Sequence, residues 1–477
     1  MSMKVSIKKL IKDQSLSKKV FPHNPLSFQT INPVNNKLLN SFNYDSDEKL
    51  NTILDKSEKS SRLLKSQSLD DQLKKMSNLV SVFERRKEEL ASLITLEMGK
   101  PIFESRIEVD RINRLINYFI LHSPRLLSNK KLEDLDCLHS YVKYEPLGTI
   151  LNITPWNLPL AMPCKSIIPA LIARNSTILK PAPNVPQTSI LFHQCFIEAG
   201  FTNEEFQLSF ANIDSIDKII SDKRINFVSF TGSTQAGRTI GRLAGENIKR
   251  SLLELGGSDP TLVLPDANIE YAVDALINGR IRANGQTCTS AKRAIIHESI
   301  YDKFINILEL KMKTIQFGDP KDEKTRLGPI SRFDLFLKLN SQLDEYIEDY
   351  DYDVSSGNFL KPFIIQNPKK GTKAYIEEIF GPVFTTFKSK SIEDMIELAN
   401  DTEYGLGGVI ITNDLEKGQE IAGKIQCGMT CVNTPYITHP SIPFGGCKNS
   451  GFGRTNLEYI LNEVSNLKSV TVNTKKV

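Results

Sequence analysis

Phe227-Val228-Ser229-Phe230-Thr231-Gly232-Ser233-Thr234-Gln235-Ala236-Gly237 is the stretch that decides the fold. Its first half is short, apolar and aromatic, as a buried strand requires. Its second half turns at Gly232 and continues as a helical pattern. A strand that feeds a helix through a glycine turn is the repeating unit of a parallel sheet. Gly232 lets a backbone approach a ligand closely, and the helix start offers free N–H groups to a pyrophosphate. The spacing is not Gly-x-Gly-x-x-Gly, so by itself the stretch also fits an ordinary strand-to-helix turn.

The same texture extends outward. Thr149 to Ile153 is apolar and β-branched and is broken by Pro155; Thr177-Ile178-Leu179 is a further short strand. Each is followed by turn residues and a helical pattern, which predicts a parallel sheet with helices on its faces. A second α/β region is expected from Glu254 to about Arg454. Upstream, apolar residues recur every three or four positions from Leu69 to Met98, which predicts one helical region stopped by Gly99 and Pro101. Val109, Ile112, Leu115, Ile116 and Phe119 mark another helix. His139 to Glu145 alternates like an edge strand, and Leu467 to Thr474 like a terminal one.

The chain of 477 residues is too long for one core, so about two or three domains are expected. Sixty basic against 56 acidic residues, net +4, is too balanced to suggest a nucleic-acid partner. No apolar run approaches the roughly 18 residues of a membrane span. The seven cysteines, at 137, 164, 195, 288, 427, 431 and 447, form no Cys-x-x-Cys pair. With six dispersed histidines, this argues against a disulfide framework or metal site and for a reducing compartment. The first 30 residues are Lys-rich with Asp13 the only acid. They read as a solvated extension of a cytoplasmic protein, or as a mitochondrial transit peptide lacking the usual arginines.

The chemistry lies in two segments, Asn284-Gly285-Gln286-Thr287-Cys288 and Glu254-Leu255-Gly256-Gly257. A small-residue turn presents a thiol, and a carboxylate stands beside a flexible glycine pair. Covalent catalysis on a carbonyl needs that combination of soft nucleophile and base. A cysteine taken alone is more often an inert core residue. Asn157 is confined near Pro155 and Pro159, and a rigid amide donor suits a developing oxyanion; a structural turn Asn is the alternative. Lys180 ends a strand beside Pro181, within reach of a ribose or its phosphate, though a lysine is ordinarily a solvated tip.

Seven motifs in register change those odds. They are Pro155-Trp156-Asn157-Leu158-Pro159, Leu179-Lys180-Pro181-Ala182, Phe230-Thr231-Gly232-Ser233-Thr234, the Glu254 and Cys288 segments, Glu378-Ile379-Phe380-Gly381-Pro382, and Pro443-Phe444-Gly445-Gly446. Together the chain resembles the NAD(P)-dependent aldehyde dehydrogenase superfamily from about Asn32 to near its C-terminus. Glu254 to Pro260 and Lys180 to Val185 look like its succinate-semialdehyde dehydrogenase group.

The resemblance implies an α/β architecture with four parts. These are an N-terminal extension (1–30), a Rossmann-like cofactor domain (31–131 and 149–253), a catalytic domain (254–454) and a small β oligomerisation element (132–148 and 455–477). It implies NAD or NADP on Lys180, Gly232 and Ser233, with Glu378 and Phe380 at the nicotinamide ribose and ring and Trp156 lining the cleft. Apart from the resemblance, Glu378 could be an exposed acid and Phe380 and Trp156 core aromatics. It further implies attack on a small-molecule aldehyde by Cys288, an oxyanion held by Asn157 and the Cys288 amide, and thioester hydrolysis assisted by Glu254. Relatives that pass the acyl group to coenzyme A usually lack that carboxylate. A non-catalytic relative would be expected to lose the nucleophile, base or oxyanion donor, and all three are present.

A homodimer or homotetramer is implied as well. Many NAD-preferring relatives carry Glu where this chain has Pro183, so acceptance of NADP is expected. For a carboxylate-bearing semialdehyde, the resemblance points to Arg282, to Lys165 where an arginine is usual, and to Thr438. Arg282 and Lys165 could instead be surface charges.

Overall fold

The computed structural model describes residues 4–12, 24–133 and 138–475. Cys137 lies outside them. In chain order, the strands of two large sheets are β1 (Thr149–Ile153), β2 (Ser176–Lys180), β3 (Phe206–Leu208), β4 (Ile225–Thr231), β5 (Arg250–Glu254), β6 (Pro260–Val263), β7 (Arg293–His297), β8 (Phe363–Gln366), β9 (Val383–Ser389), β10 (Gly407–Ile411), β11 (Met429–Val432) and β12 (Gly451–Phe452). The helices that position the site are α1 (Ile102–Leu126), α2 (Ala161–Ile172), α3 (Thr234–Glu246) and α4 (Ile269–Ile281).

The first sheet has the order β12-β5-β4-β1-β2-β3, parallel except for β12. The second has the order β8-β9-β7-β6-β10-β11 and is parallel throughout. Both sheets are mixed with helices, as the strand–turn–helix texture predicts. In the first, the chain runs from β1 to β2 on one side while β4 lies on the other. The loops leaving β1 and β4 therefore part, and a crevice opens at the carboxyl ends. Four of the sequence-selected segments lie there: Pro155–Pro159 after β1, Lys180 ending β2, Gly232–Ser233 after β4, and Glu254 ending β5. Leu255 to Asp259 then carries the chain to the amino end of β6. Cys288 precedes β7, and Glu378 and Phe380 precede β9. The carboxyl edge of one sheet thus faces the amino edge of the other, and every selected residue falls along that seam or beside it.

Three expectations need correction. The helical region from Leu69 to Met98 is two helices, Leu69–Arg85 and Lys87–Met98, broken at Arg86 (φ −95°, ψ 11°). The apolar period continues through the break, so periodicity alone could not reveal it. Gly99 does end the second helix, in the left-handed region (φ 78°) that glycine tolerates best. The strand Leu138–Pro146 is central, not an edge: it pairs with Lys130–Lys131 on one side and Ser465–Asn473 on the other. Alternation reports which faces are wet, not how many neighbours a strand has.

The N-terminal reading fails for residues 4–12. Lys4–Ser6 pairs antiparallel with Asp351–Asp353, and Ile7–Lys12 is helical. Ile7 and Leu10, one turn apart, are buried among Phe333, Phe336, Leu343 and Tyr352, while Lys8 reaches Asp344 at 3.6 Å. The lysines that make the segment look solvated occupy its other face. Residues 1–3 and 13–23, the rest of that stretch up to Asn24, lie outside the described residues. Among the described residues, no helix is long and apolar enough to cross a membrane, and no cluster of three or more His, Cys, Asp or Glu could hold a metal.

Candidate active site

The segment carrying Cys288 is a strained turn. After α4 the chain passes through Ala283 (φ 47°), Asn284 (φ 60°) and Gly285 (φ 76°), three successive left-handed residues. For Ala283 this conformation costs about 1–2 kcal/mol, while Asn284 is of a type that tolerates it better. Surrounding groups over-determine it. Glu104 accepts from Ala283 N at 2.7 Å. The Asn284 amide donates to Gly99 O and Pro329 O, both at 2.8 Å, and accepts from Gly328 N at 2.7 Å. At Gly285 an added Cβ would lie 2.4 Å from the Gly381 backbone, so only glycine fits. Gln286 is held by Ser331 N at 3.0 Å. Cys288 emerges from this turn half-buried.

Asn157 lies against the same turn. Its Nδ2 donates to Gln286 O at 2.8 Å, and its second amide hydrogen has no partner among the described residues. Its loop is anchored from α1, where the buried Glu108 accepts from Leu160 N and Ala161 N, both at 2.9 Å, at the start of α2. Lys100 forms a buried ion pair with Glu108. The sequence reading missed this pair, because nothing local distinguishes one acid on an amphipathic helix.

Desolvation dominates the electrostatics. Burial pushes the Cys288 thiol up to about 11, while the ammoniums of Lys292 and Lys165 pull it down. Glu254 is 5% exposed, and neither carboxylate oxygen has a hydrogen-bond partner among the described residues. Burial pushes it up to about 8, against the pull of Lys165 and Arg454. A carboxylate poised near neutral pH and free of partners is suited to take a proton. Lys165 is buried too; desolvation lowers it to about 8, and its Nζ lies 3.3 Å from the centroid of the Phe444 ring.

Cys288 opens into a cavity lined also by Arg111, Lys165, Arg282, Thr438 and Asn456. All three substrate-side candidates from the sequence are therefore together. Arg111, on α1, was not anticipated; helical periodicity marks its neighbours as core but carries no sign of a remote thiol. Among the described residues, Arg111, Lys165 and Arg282 have no salt bridge to a carboxylate. Desolvation and the nearby Arg282 lower Arg111 to about 10. Glu104 and Glu108 face Arg111, Glu104 faces Arg282 and Glu254 faces Lys165, yet none closes a salt bridge with them, so three cations around one cavity remain able to meet an anion.

The remaining candidates cluster on the other side of the seam. Lys180 is largely desolvated and lowered to about 8, and its ammonium has no hydrogen bond or ion pair among the described residues. Ser233 Oγ caps α3 by accepting from Ala236 N at 3.3 Å, which leaves its hydroxyl hydrogen free. A desolvated cation beside an open helix start fits a nucleotide bearing phosphates and ribose hydroxyls. Trp156 and Phe380 meet edge to face, with centroids 6.0 Å apart. Glu378 Oε1 accepts from Gly257 N at 3.1 Å and pairs with Lys292 Nζ at 3.1 Å. Its Oε2 has no partner among the described residues. A Cβ on Gly256 would stand 2.6 Å from that oxygen, so the glycine pair makes room for it. Lys292 was also missed: a lysine four residues after the thiol reads as polar spacing, and its partners are remote.

Residues 22–470 match the model of the Aldehyde dehydrogenase family. Escherichia coli K12 succinate semialdehyde dehydrogenase [NAD(P)+] Sad is 36% identical over 410 residues, covering 84% of this chain and 88% of that one. A Deinococcus radiodurans succinate-semialdehyde dehydrogenase [NADP(+)] is 32% identical, covering 93% and 94%. Among solved structures, succinic semialdehyde dehydrogenase from Streptococcus pyogenes in complex with NADP+ superposes with a TM-score of 0.89 at 31% identity, covering 94% of this chain and all of that one. Betaine aldehyde dehydrogenase from Staphylococcus aureus in complex with NAD+ gives 0.89 at 29% identity, covering 94% and 92%. With its two sheets, its seam and its seven motifs, the chain belongs to the aldehyde dehydrogenase family.

Proposed function

We propose that the protein oxidises succinate semialdehyde, or a close carboxylate-bearing aldehyde, to the carboxylic acid through a thioester on Cys288. The observation that carries this reading is a half-buried thiol and a buried carboxylate without hydrogen bonds among the described residues, both facing Lys165, with Arg111, Lys165 and Arg282 lining the thiol's cavity. Lys180, Gly232, Ser233, Glu378 and Phe380 would hold NAD or NADP, and a bound nicotinamide supplies the electron acceptor. Cys288 gives up its thiol proton to water, and Sγ bonds as the thiolate to the aldehyde carbon while the C=O electron pair moves onto oxygen. The oxyanion is held by the free amide hydrogen of Asn157 and the Cys288 N–H, a type of donor worth a few kcal/mol. After oxidation, Glu254 takes a proton from water, the water oxygen bonds to the thioester carbon, and the sulfur leaves. The divided domain organisation expected from the sequence belongs to this reading, with cofactor and aldehyde meeting at the seam.

Glu254→Gln should keep a single-turnover burst of reduced cofactor yet turn over slowly, whereas Cys288→Ala should show no burst. Because burial raises the Glu254 carboxyl to about 8, its base form gains as pH rises through that value. Thioester hydrolysis should therefore accelerate up to about pH 8 and then level off, a limb absent from Glu254→Gln. Hydrolysis independent of pH over that range would remove Glu254 from the base role.

Arg282, Arg111 and Lys165 would meet the substrate carboxylate, with Thr438 adding a hydroxyl. Lys165 brings charge without the bidentate fork of an arginine. On the cofactor side, Pro183 brings no carboxylate against a 2′-phosphate, and the partnerless Lys180 is available to pair with one. A panel of aldehydes crossed with NAD and NADP tests both points. Succinate semialdehyde should beat a neutral aldehyde of equal length, and NADP should be accepted. Arg282→Ala should raise KM for the acidic substrate about ten- to hundredfold, matching the roughly 1.5–3 kcal/mol of a charge-assisted hydrogen bond. Equal kcat/KM for acidic and neutral substrates contradicts the assignment, as does a preference for NAD of about a thousandfold, roughly 4 kcal/mol.

Ser465–Asn473 pairs on one side with Leu138–Pro146 and on the other has no strand partner among the described residues. It exposes Leu467 and Val472. An open nine-residue edge of this kind invites a second subunit, so a homodimer or homotetramer is our reading. Light scattering at micromolar concentration should give a multiple of the chain mass; a monomer contradicts it.

A further inference from the structure

We propose that Lys292 is a positioning residue that couples the occupied nucleotide site to the nucleophile, by joining the Cys288 turn to Glu378 through one buried ammonium. Its Nζ donates to Thr287 O at 2.9 Å and to Cys288 O at 2.6 Å, and pairs with Glu378 Oε1 at 3.1 Å. An ammonium has three N–H donors, and these three acceptors use them all. The Lys292 side chain is 1% exposed, so water does not compete for it. The Phe380 ring centroid lies 5.7 Å away. The backbone of Lys292 is itself fixed, since its N–H donates to Asp259 O at 3.1 Å.

One charge is therefore shared between the turn that carries the thiol and the carboxylate read above as the holder of a nicotinamide ribose; the proposal rests on that reading. Oε2 of Glu378 has no partner among the described residues, so a ribose hydroxyl can bond to it without breaking the Lys292 pair. A hydrogen bond there withdraws charge from the carboxylate. Glu378 then offsets Lys292 less, and more of the ammonium's field falls on Cys288. The other charged and titratable groups facing the thiol are Lys165, which favours the thiolate, and Glu378, Asp259 and Tyr436. More of the ammonium's field on Cys288 favours its thiolate, so the nucleophile is strengthened when the cofactor is present.

The test is the pH dependence of Cys288 alkylation by iodoacetamide, read at that residue by peptide mass spectrometry. It is run on the free protein, with reduced cofactor, and with adenosine diphosphate, which has the pyrophosphate but no nicotinamide ribose. Reduced cofactor is used because its ring is uncharged. The midpoint, not the plateau rate, is compared, so steric shielding does not enter. In the wild type the reduced cofactor should lower the midpoint by about one unit, and adenosine diphosphate should leave it in place. Lys292→Met should raise the midpoint of the free protein by about one unit and abolish the cofactor response. Lys292→Gln, which keeps a donor for the carbonyls but no charge, should do the same. An equal shift with adenosine diphosphate, or a cofactor response retained in a folded Lys292 variant, overturns the proposal. Glu378→Gln separates it from the reading beneath it. If that change leaves cofactor affinity untouched, measured by quenching of Trp156, the only tryptophan, then the ribose assignment has failed rather than the coupling alone.

Discussion

Ala283, Asn284 and Gly285 run left-handed one after another, and the position of Cys288 depends on their staying so. Ala283 disfavours this backbone and a run of three is rare even where Asn and Gly tolerate it, so the turn would relax if left to itself. It is held by groups drawn from far along the chain: Glu104 from α1, the carbonyls of Gly99 and Pro329, the amide of Gly328 and the backbone of Gly381. Asn157 then docks on the turn through Gln286 O, and Lys292 ties its far end to Glu378. The oxyanion donor, the nucleophile and the cofactor carboxylate are thereby set against one another by a single local conformation. Strain of this kind persists only where the surroundings over-determine it, and such places are commonly sites of chemistry.

The second constraint is the scarcity of water along the seam. Glu254, Lys165, Lys180 and Cys288 are all shifted toward their neutral forms by burial. Their charges are not extinguished by pairing, as they are at the Lys100–Glu108 ion pair that anchors the Asn157 loop. Partnerless ionisable groups inside a protein are costly, and the seam collects them on both sides. Cations facing the thiol cavity suit a substrate carboxylate. The cation at the end of β2 suits a nucleotide. The carboxylate between them is left free to move a proton. The same low dielectric that raises these groups also strengthens every interaction they make with a bound ligand.

How much of this was legible in the sequence follows the range of the interactions. Cys288, Glu254, Asn157 and the Gly232 turn are legible because each lies in a short segment whose residue types already restrict its shape. The parallel sheets are legible because strand–turn–helix alternation is local as well. Arg111, Glu108 and Lys292 are not, since each acts on residues that only the folded chain brings near. Ile7 and Leu10 were hidden for the opposite reason: the lysines around them dominate the composition, and two apolar residues one turn apart make a weak signal. The strand at Leu138–Pro146 was recognised but placed at an edge, because pairing partners come from residues 130–131 and 465–473. Glu378 was picked out by resemblance, but its ion pair with Lys292 was not, and that contact changes what the residue can do.

The central claim is that carbon–sulfur bond formation at Cys288 and its hydrolysis through Glu254 are separate acts of neighbouring residues. Intact and peptide mass spectrometry of Glu254→Gln, quenched after mixing with succinate semialdehyde and NADP, tests it most directly. The account predicts one acyl group per chain, located on Cys288 and released by hydroxylamine. A protein that forms reduced cofactor yet carries no acyl group on Cys288 would contradict it.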